Sequence, residues 1–326
     1  MTGSSSDAPA VKRWHFDVLV SDGFVLVELA GLIDVLRLAN RVGPFPVFEW
    51  TYRSAKGGPV ASRAGAYVDT EPFAQRPTSD YAVVIGNTDP DSPDLSMGSV
   101  IRAYTYRGAQ VILLSEAASR YIDEQSGEKV RRLATHWENA ALMRERGVFE
   151  ADNAIASQDG QVVTCAGMGT TVDIALELVG RHMSSAAKMA VADIHLHDKI
   201  RDFSTQQPFG GSSVTSTGDE EVDECIKLMQ ANIETPLRIQ DLAREFGLST
   251  RSMERKFSNL LNATPLSYYR QLRLHRANNL LMNTTMTVQE IGLVCGFAHG
   301  FSKHYRNFFG VAPHEARKAS KQRRTG

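Results

Sequence analysis

Residues 239–257 read IQDLAREFGLSTRSMERKF, and residues 288–305 read VQEIGLVCGFAHGFSKHY. The two stretches share one plan. A small residue (Ala243, Gly292) lets two helices cross closely, and a glycine four positions on (Gly247, Gly296) supplies the positive φ of a tight turn. The following helix carries an inward pair four residues apart, Met253 with Phe257 and Phe301 with Tyr305. Ser249 is placed to cap the first of these helices. Each block is therefore predicted to be a helix-turn-helix unit. A long helix over 266–282 joins them, and an opening helix with the stripe Val222, Ile226, Met229 and Ile233 precedes them. Outward from the second helix of the first block project Arg251, Ser252, Glu254 and Arg255, and from that of the second His299, Ser302, Lys303 and His304. Arginine forks onto guanine O6 and N7, while lysine and serine suit phosphates or single base contacts. One such block is an ordinary helical hairpin with a solvated face. Two in tandem point to double-stranded DNA.

The charge follows the same division. Residues 220–326 carry 16 Lys and Arg against 10 Asp and Glu, a balance of +6, and the other 219 residues carry 20 against 27, a balance of −7. A basic third beside an acidic body suits a polyanion partner for that third alone.

Working toward the N-terminus, STQQPFGGSSVTSTGD at 204–219 lacks apolar periodicity and reads as a flexible linker. Before it, buried-type strands (FDVLVSDG from 16, FEWTYRSA, DYAVVIG, AQVILLS) alternate with helical periods at 28–42, 98–107, 135–146 and 167–182. That alternation predicts an α/β doubly wound, mostly parallel sheet, followed by an all-α domain with two helix-turn-helix units. The expected layout is a disordered tail at 1–13, a sensor or dimerisation domain at 14–203, the linker, the DNA-binding domain at 220–318 and a basic tail at 319–326. The tail lacks the apolar core of a signal peptide, and no apolar run is long enough to span a bilayer, so a cytoplasmic protein without membrane contact is expected. Cys165, Cys225 and Cys295 lie far apart and form no metal or disulfide pattern. A helix over Ser184–His197 would hold His195 and His197 on different faces, so no metal and no cofactor is expected there or elsewhere.

Residues 220–318, with LxxLAxxFGLSxRxMxRxF, PLSYYRQLRLHRANNLL, EIGLVCGF and FSKHYRNFFGVAPHEARK, resemble the AraC/XylS class of regulators. The resemblance implies that both units enter successive major grooves about 34 Å apart. It gives Arg251, Glu254 and Arg255 base-reading positions in the first unit, and His299, Ser302 and Lys303 in the second. Ser252 stands beside the former, and Lys256 and Arg306 fall on the phosphate backbone. Two departures stand out. Gly292 replaces the usual alanine, which weakens its helix by about 1 kcal/mol if uncompensated, and GFAHGFSK is two residues shorter than the family's usual run.

Residues 14–200 resemble sensor domains related to the class I glutamine amidotransferase and PfpI/ThiJ superfamily, through LRLANR, YRSAKGGPVASRAG, ATHWEN and TCAGMGTTVDIALELV. The combined order is similar to regulators of choline, betaine, carnitine and arginine catabolism. Enzymes of that superfamily carry a cysteine on a strand-to-helix elbow near an acid. Here the elbow follows AQVILLS and continues through Glu116 to Ser119 with no cysteine, so no catalytic residue is assigned. The remaining cleft suits a small amine or amino-acid-like effector. Glu28 would meet its ammonium, Glu116 sits at the elbow, His136 and Trp137 would supply an aromatic face, and the helix opening at Gly169 and Thr170 would offer N–H groups to a carboxylate. The same residues also fit plain core, cap and closed-cleft roles. The function expected is a dimeric, effector-responsive transcription activator that contacts RNA polymerase. The rivals are an amidase or hydrolase fused to a DNA-binding domain, and a protein-interaction module.

Overall fold

The computed structural model describes residues 12–89, 92–125, 133–136, 151–152, 154–207, 217–284 and 286–325. They form two units that meet in sequence between Gln206 and Gln207.

In the first unit, the Val- and Ile-rich runs become strands buried on both faces. The strands are β1 (Trp14–Leu19), β2 (Phe48–Ser54), β3 (Gly58–Ala61), β4 (Tyr67–Pro72), β5 (Tyr81–Val84), β6 (Gln110–Leu113), β7 (Leu133–Ala134), β8 (Ala151–Asp152), β9 (Ala156–Asp159) and β10 (Val162–Cys165). The main sheet has the order β3-β4-β2-β1-β5-β6-β10-β9, and β7 pairs with β8 separately. Every pairing from β4 across to β10 is parallel, and only the outer strands β3 and β9 run antiparallel. The order reverses at β1, which has β2 on one side and β5 on the other. A crevice therefore opens beyond the carboxyl ends of these strands.

Alternation along β1 divides the two layers. Phe16 and Val18 enter the apolar cluster built with α1 (Leu26–Val42), α4 (Thr171–His182) and α5 (Ser185–Ile194). Asp17 points the other way, where it accepts from Tyr104 Oη of α2 (Gly98–Tyr106) at 2.7 Å and from Arg53 Nε at 2.7 Å. Asp17 is nearly inaccessible, and the arginine and two hydroxyls, Tyr104 and Ser79, satisfy its charge. On the basis of α2 and α3 (Ser115–Glu124), the sheet is covered on both faces, the doubly wound α/β class.

The second unit is helical. Its elements are α6 (Glu220–Ala231), α7 (Ile239–Glu245), α8 (Thr250–Leu261), α9 (Pro265–Asn283), α10 (Val288–Val294), α11 (Phe301–Phe309) and α12 (Pro313–Thr325). Two apolar clusters hold it, one around α6, α7 and α8, the other around α9, α10 and α11.

Several boundaries differ from expectation. Residues 319–325 continue α12 as helix and are not a tail. The helix expected over Ser184–His197 stops at Ile194. His197 lies beyond it and bonds the buried Asp173 at 2.9 Å, which also takes the backbone and guanidinium of Arg201. Both described ends of the 204–219 segment are tied down: Ile155 N–H donates to Thr205 O, and Thr217 Oγ1 donates to Asp223. Most of the helix expected at 135–146, with Trp137, lies outside the described residues. Among the described residues no helix is long and apolar enough to cross a membrane, and no cluster of His, Cys, Asp or Glu is placed to hold a metal.

Candidate functional site

The first reader is built as its spacing dictates. Gly247 takes φ +64°, and Ser249 Oγ accepts from Ser252 N–H at 3.1 Å to cap α8. Met253 and Phe257 are buried against Leu242, Ala243 and Met229. This fixes the opposite face outward, where Arg251, Glu254 and Arg255 are exposed and take no salt-bridge partner among the described residues. Ser252 is half-buried beside the cap. Lys256 departs from the reading that put it on a phosphate. Its Nζ pairs with Asp219 and, at 3.0 Å, with Glu221, acids at the head of α6. Its charge is engaged within the unit, and those bonds raise its pKa.

In the second reader, Thr287 and Glu290 form a capping box at the start of α10. Gly296 takes φ +73°, and Gly300, at φ +72°, opens α11. Phe301 and Tyr305 are buried, while His299, Ser302, Lys303 and Arg306 are exposed. His304, expected to project, instead leans on the Phe297 ring, and partial burial lowers its pKa. A Cβ on Gly292 would lie 3.1 Å from Phe301 Cβ. Close packing against Phe301 therefore favours glycine there and offsets its poor helix propensity.

Helix α9 carries both readers. Tyr269 Oη donates to Asn232 O at 2.6 Å, gripping the α6–α7 connection of the first. One turn on, Arg273 donates from Nε to Cys295 O at 2.9 Å and also to Gly296 O, and its guanidinium stacks 4.2 Å from the Phe297 centroid. The readers also touch directly. Ile233, just past α6, packs in the second reader's cluster, and the Gly296 turn lies against Ile233 O and Pro236. Sequence spacing had not revealed this grip, because it joins positions on separate helices.

In the first unit, the elbow falls on Ser115. It is a buried residue at φ +36°, a left-handed conformation that a side chain adopts only under constraint. Its hydroxyl donates to Glu116, and a Cβ on Gly86 would strike Ser115 Oγ, Glu116 Oε2 and Glu28 Oε2 together. Glu28 and Glu116 thus lie together at the elbow. Glu28, however, is fully buried: Oε2 accepts from Gly86 N–H at 2.7 Å and Oε1 has no partner. Burial pushes Glu28 up to about 7, and bonds from Ser115 and Gly86 offset this only in part; burial raises Glu116 as well. His136 is half-buried against Gly167, and burial lowers its pKa. Thr170 is buried and bonds Gly167 O, and Gly169 O accepts from Arg201, so the helix opening begins with a 3-10 turn. Ser115, the last residue of AQVILLS, takes no role in the sequence reading. The available signal was its position, at the last residue of an apolar run before helix-forming Glu116, Ala117 and Ala118.

A helix-turn-helix domain model matches residues 242–319. The HTH-type transcriptional regulator ArgR of Pseudomonas aeruginosa is 30% identical over 90% of this chain and 88% of its own length. The chain belongs to the AraC family of transcription regulators. A second P. aeruginosa relative, the HTH-type transcriptional regulator GbdR, is 29% identical over 92% of this chain and 83% of its own. The crystal structure of an AraC family transcriptional regulator from Pseudomonas putida covers 56% of this chain and 99% of that one, at 20% identity and a TM-score of 0.46. This AraC-family chain is thus a DNA-binding transcription regulator and not an amidase or hydrolase.

Proposed function

We propose that this regulator acts in the cytoplasm as a homodimeric activator. In this reading α8 and α11 enter successive major grooves of a promoter, RNA polymerase is the protein partner, and a small amine or amino-acid-like metabolite in the first unit sets the activity. The observation that carries the DNA side is the pair of outward faces. Arg251, Glu254 and Arg255 on one, and His299, Ser302, Lys303 and Arg306 on the other, are exposed on helices locked from behind by buried pairs. Arg251 and Arg255 take base edges, and Ser302, Lys303 and Arg306 favour phosphates or single contacts. Glu28, Glu116, His136, Gly169 and Thr170 remain candidates for the effector response. Of these, Glu28 would act from inside the core, by its protonation and not by touching a ligand.

Binding of the full chain to its promoter fragment should fall steeply with salt. Replacing Arg251 or Arg255 by Ala should weaken binding by about 1–3 kcal/mol each, or roughly 5- to 150-fold, and relax preference at single base pairs. Arg306→Ala should weaken all sequences alike and flatten the salt slope by about one. Promoter binding untouched by both arginine substitutions would remove this reading of α8.

A further inference from the structure

We propose that the effector site is not the closed elbow but a separate cavity of about 420 Å³ at the carboxyl ends of β1 and β2. Its class of ligand is a single zwitterion of amino-acid size. This rests on the effector-sensing part of the proposed function and gives that sensing a place. The walls come from three strand-end connections: Asp22 after β1, Lys56 after β2, and Asp94 and Met97 between β5 and α2, with Val60 of β3 and Phe73 completing the apolar lining. Parallel sheets bind small molecules at such strand ends, and the volume falls in the usual range for ligand pockets.

The charges in these walls are unspent. Lys56 and Asp94 are exposed and take no hydrogen-bond or ion-pair partner among the described residues. The Asp22 carboxylate accepts, among the described residues, only from Ala61 N–H, through Oδ1 at 3.2 Å. Fixed charges of both signs around an apolar lining, with Val60 and Met97 buried, match a molecule with a carboxylate, an ammonium and a short hydrocarbon stem. Lys56 takes the carboxylate, Asp22 and Asp94 take the ammonium, and Val60, Phe73 and Met97 take the stem.

The elbow, by contrast, is tightly packed: Glu28 and Ser115 are both buried, and even a Cβ on Gly86 would strike them. The cavity wall does reach it indirectly. Ser96, in the same wall, accepts from Arg120 Nη2 at 2.7 Å, and Arg120 lies on α3, the helix that starts at the elbow.

The test is thermal-shift and calorimetric titration of the full chain. The probes are the twenty common amino acids, glycine betaine and 5-aminovalerate, with pentylamine and valerate as single-charge controls. At least one zwitterion should stabilise the protein while both controls do not. Lys56→Met and Asp94→Asn should each weaken that zwitterion at least 10-fold, and Val100→Trp, which fills the cavity, should abolish the shift. The altered residues Lys56 and Asp94 are exposed, so folding is expected to survive, and promoter binding in the same variants reports separately on the DNA-reading function. A flat response to every zwitterion overturns the proposal. So does a response that survives all three cavity substitutions.

Discussion

Above pH 7, the Glu28→Gln protein is expected to unfold at a higher temperature than the parent chain, and near pH 4.5 the two should coincide. Glu28 is fully buried, and burial raises it from 4.5 to about 7. Between those values the folded chain holds a proton that the unfolded chain has released, so stability falls as pH rises through this window and levels off above it. The displacement corresponds to about 3 kcal/mol, and Gln keeps an oxygen for the Gly86 N–H without ever ionising. Unfolding of the first unit, followed across pH 4 to 8.5 in both proteins, checks this. Parallel curves would place the proton on Glu116 or leave Glu28 ionised throughout.

The second large effect separates two glycines that look equivalent in the sequence. Gly247 and Gly296 occupy the same turn position and both have positive φ, at +64° and +73°. A Cβ on Gly247 meets nothing within 4 Å, so Gly247→Ala should cost only the left-handed penalty of about 1–2 kcal/mol. A Cβ on Gly296 would sit 2.6 Å from both Ile233 O and Pro236 Cγ. Gly296→Ala must therefore push the second reader off the first as well as strain the turn. The expected cost exceeds about 3 kcal/mol, since backbone and a proline ring cannot yield cheaply. Binding to a two-half-site promoter should fall more than about 100-fold, while Gly247→Ala remains within about 10-fold. Quantitative binding with helical content followed by circular dichroism tells the two apart. Equal losses in both variants would mean that the readers are not joined at Gly296.

Much of the architecture was legible because it rests on local rules. The paired blocks foretold both turns, the Ser249 cap and the buried pairs Met253–Phe257 and Phe301–Tyr305, and the Val- and Ile-rich runs foretold the inner strands. What escaped depends on contacts distant in sequence or on weak patterns. Strands β3 and β4 are short, partly exposed and contain prolines, so they lack a clear period. Lys256 reads as a phosphate contact until Asp219 and Glu221, from the preceding helix, arrive beside it. Gly292 reads as a weak point until Phe301 is seen pressed against it. Glu28 reads as a cleft acid until the fold buries it, because no spacing rule distinguishes an acid lining a cleft from one sealed beneath it.

The shared grip of Tyr269 and Arg273 turns the pair of readers into a caliper with a fixed gap. One extra base pair between half-sites moves the second by about 3.4 Å and rotates it by roughly 35° about the duplex axis. The protein, clamped at α9 and again at Gly296, has no joint there to follow it. The duplex would have to bend or untwist instead, and promoter choice would depend on the stiffness of base steps that no side chain touches.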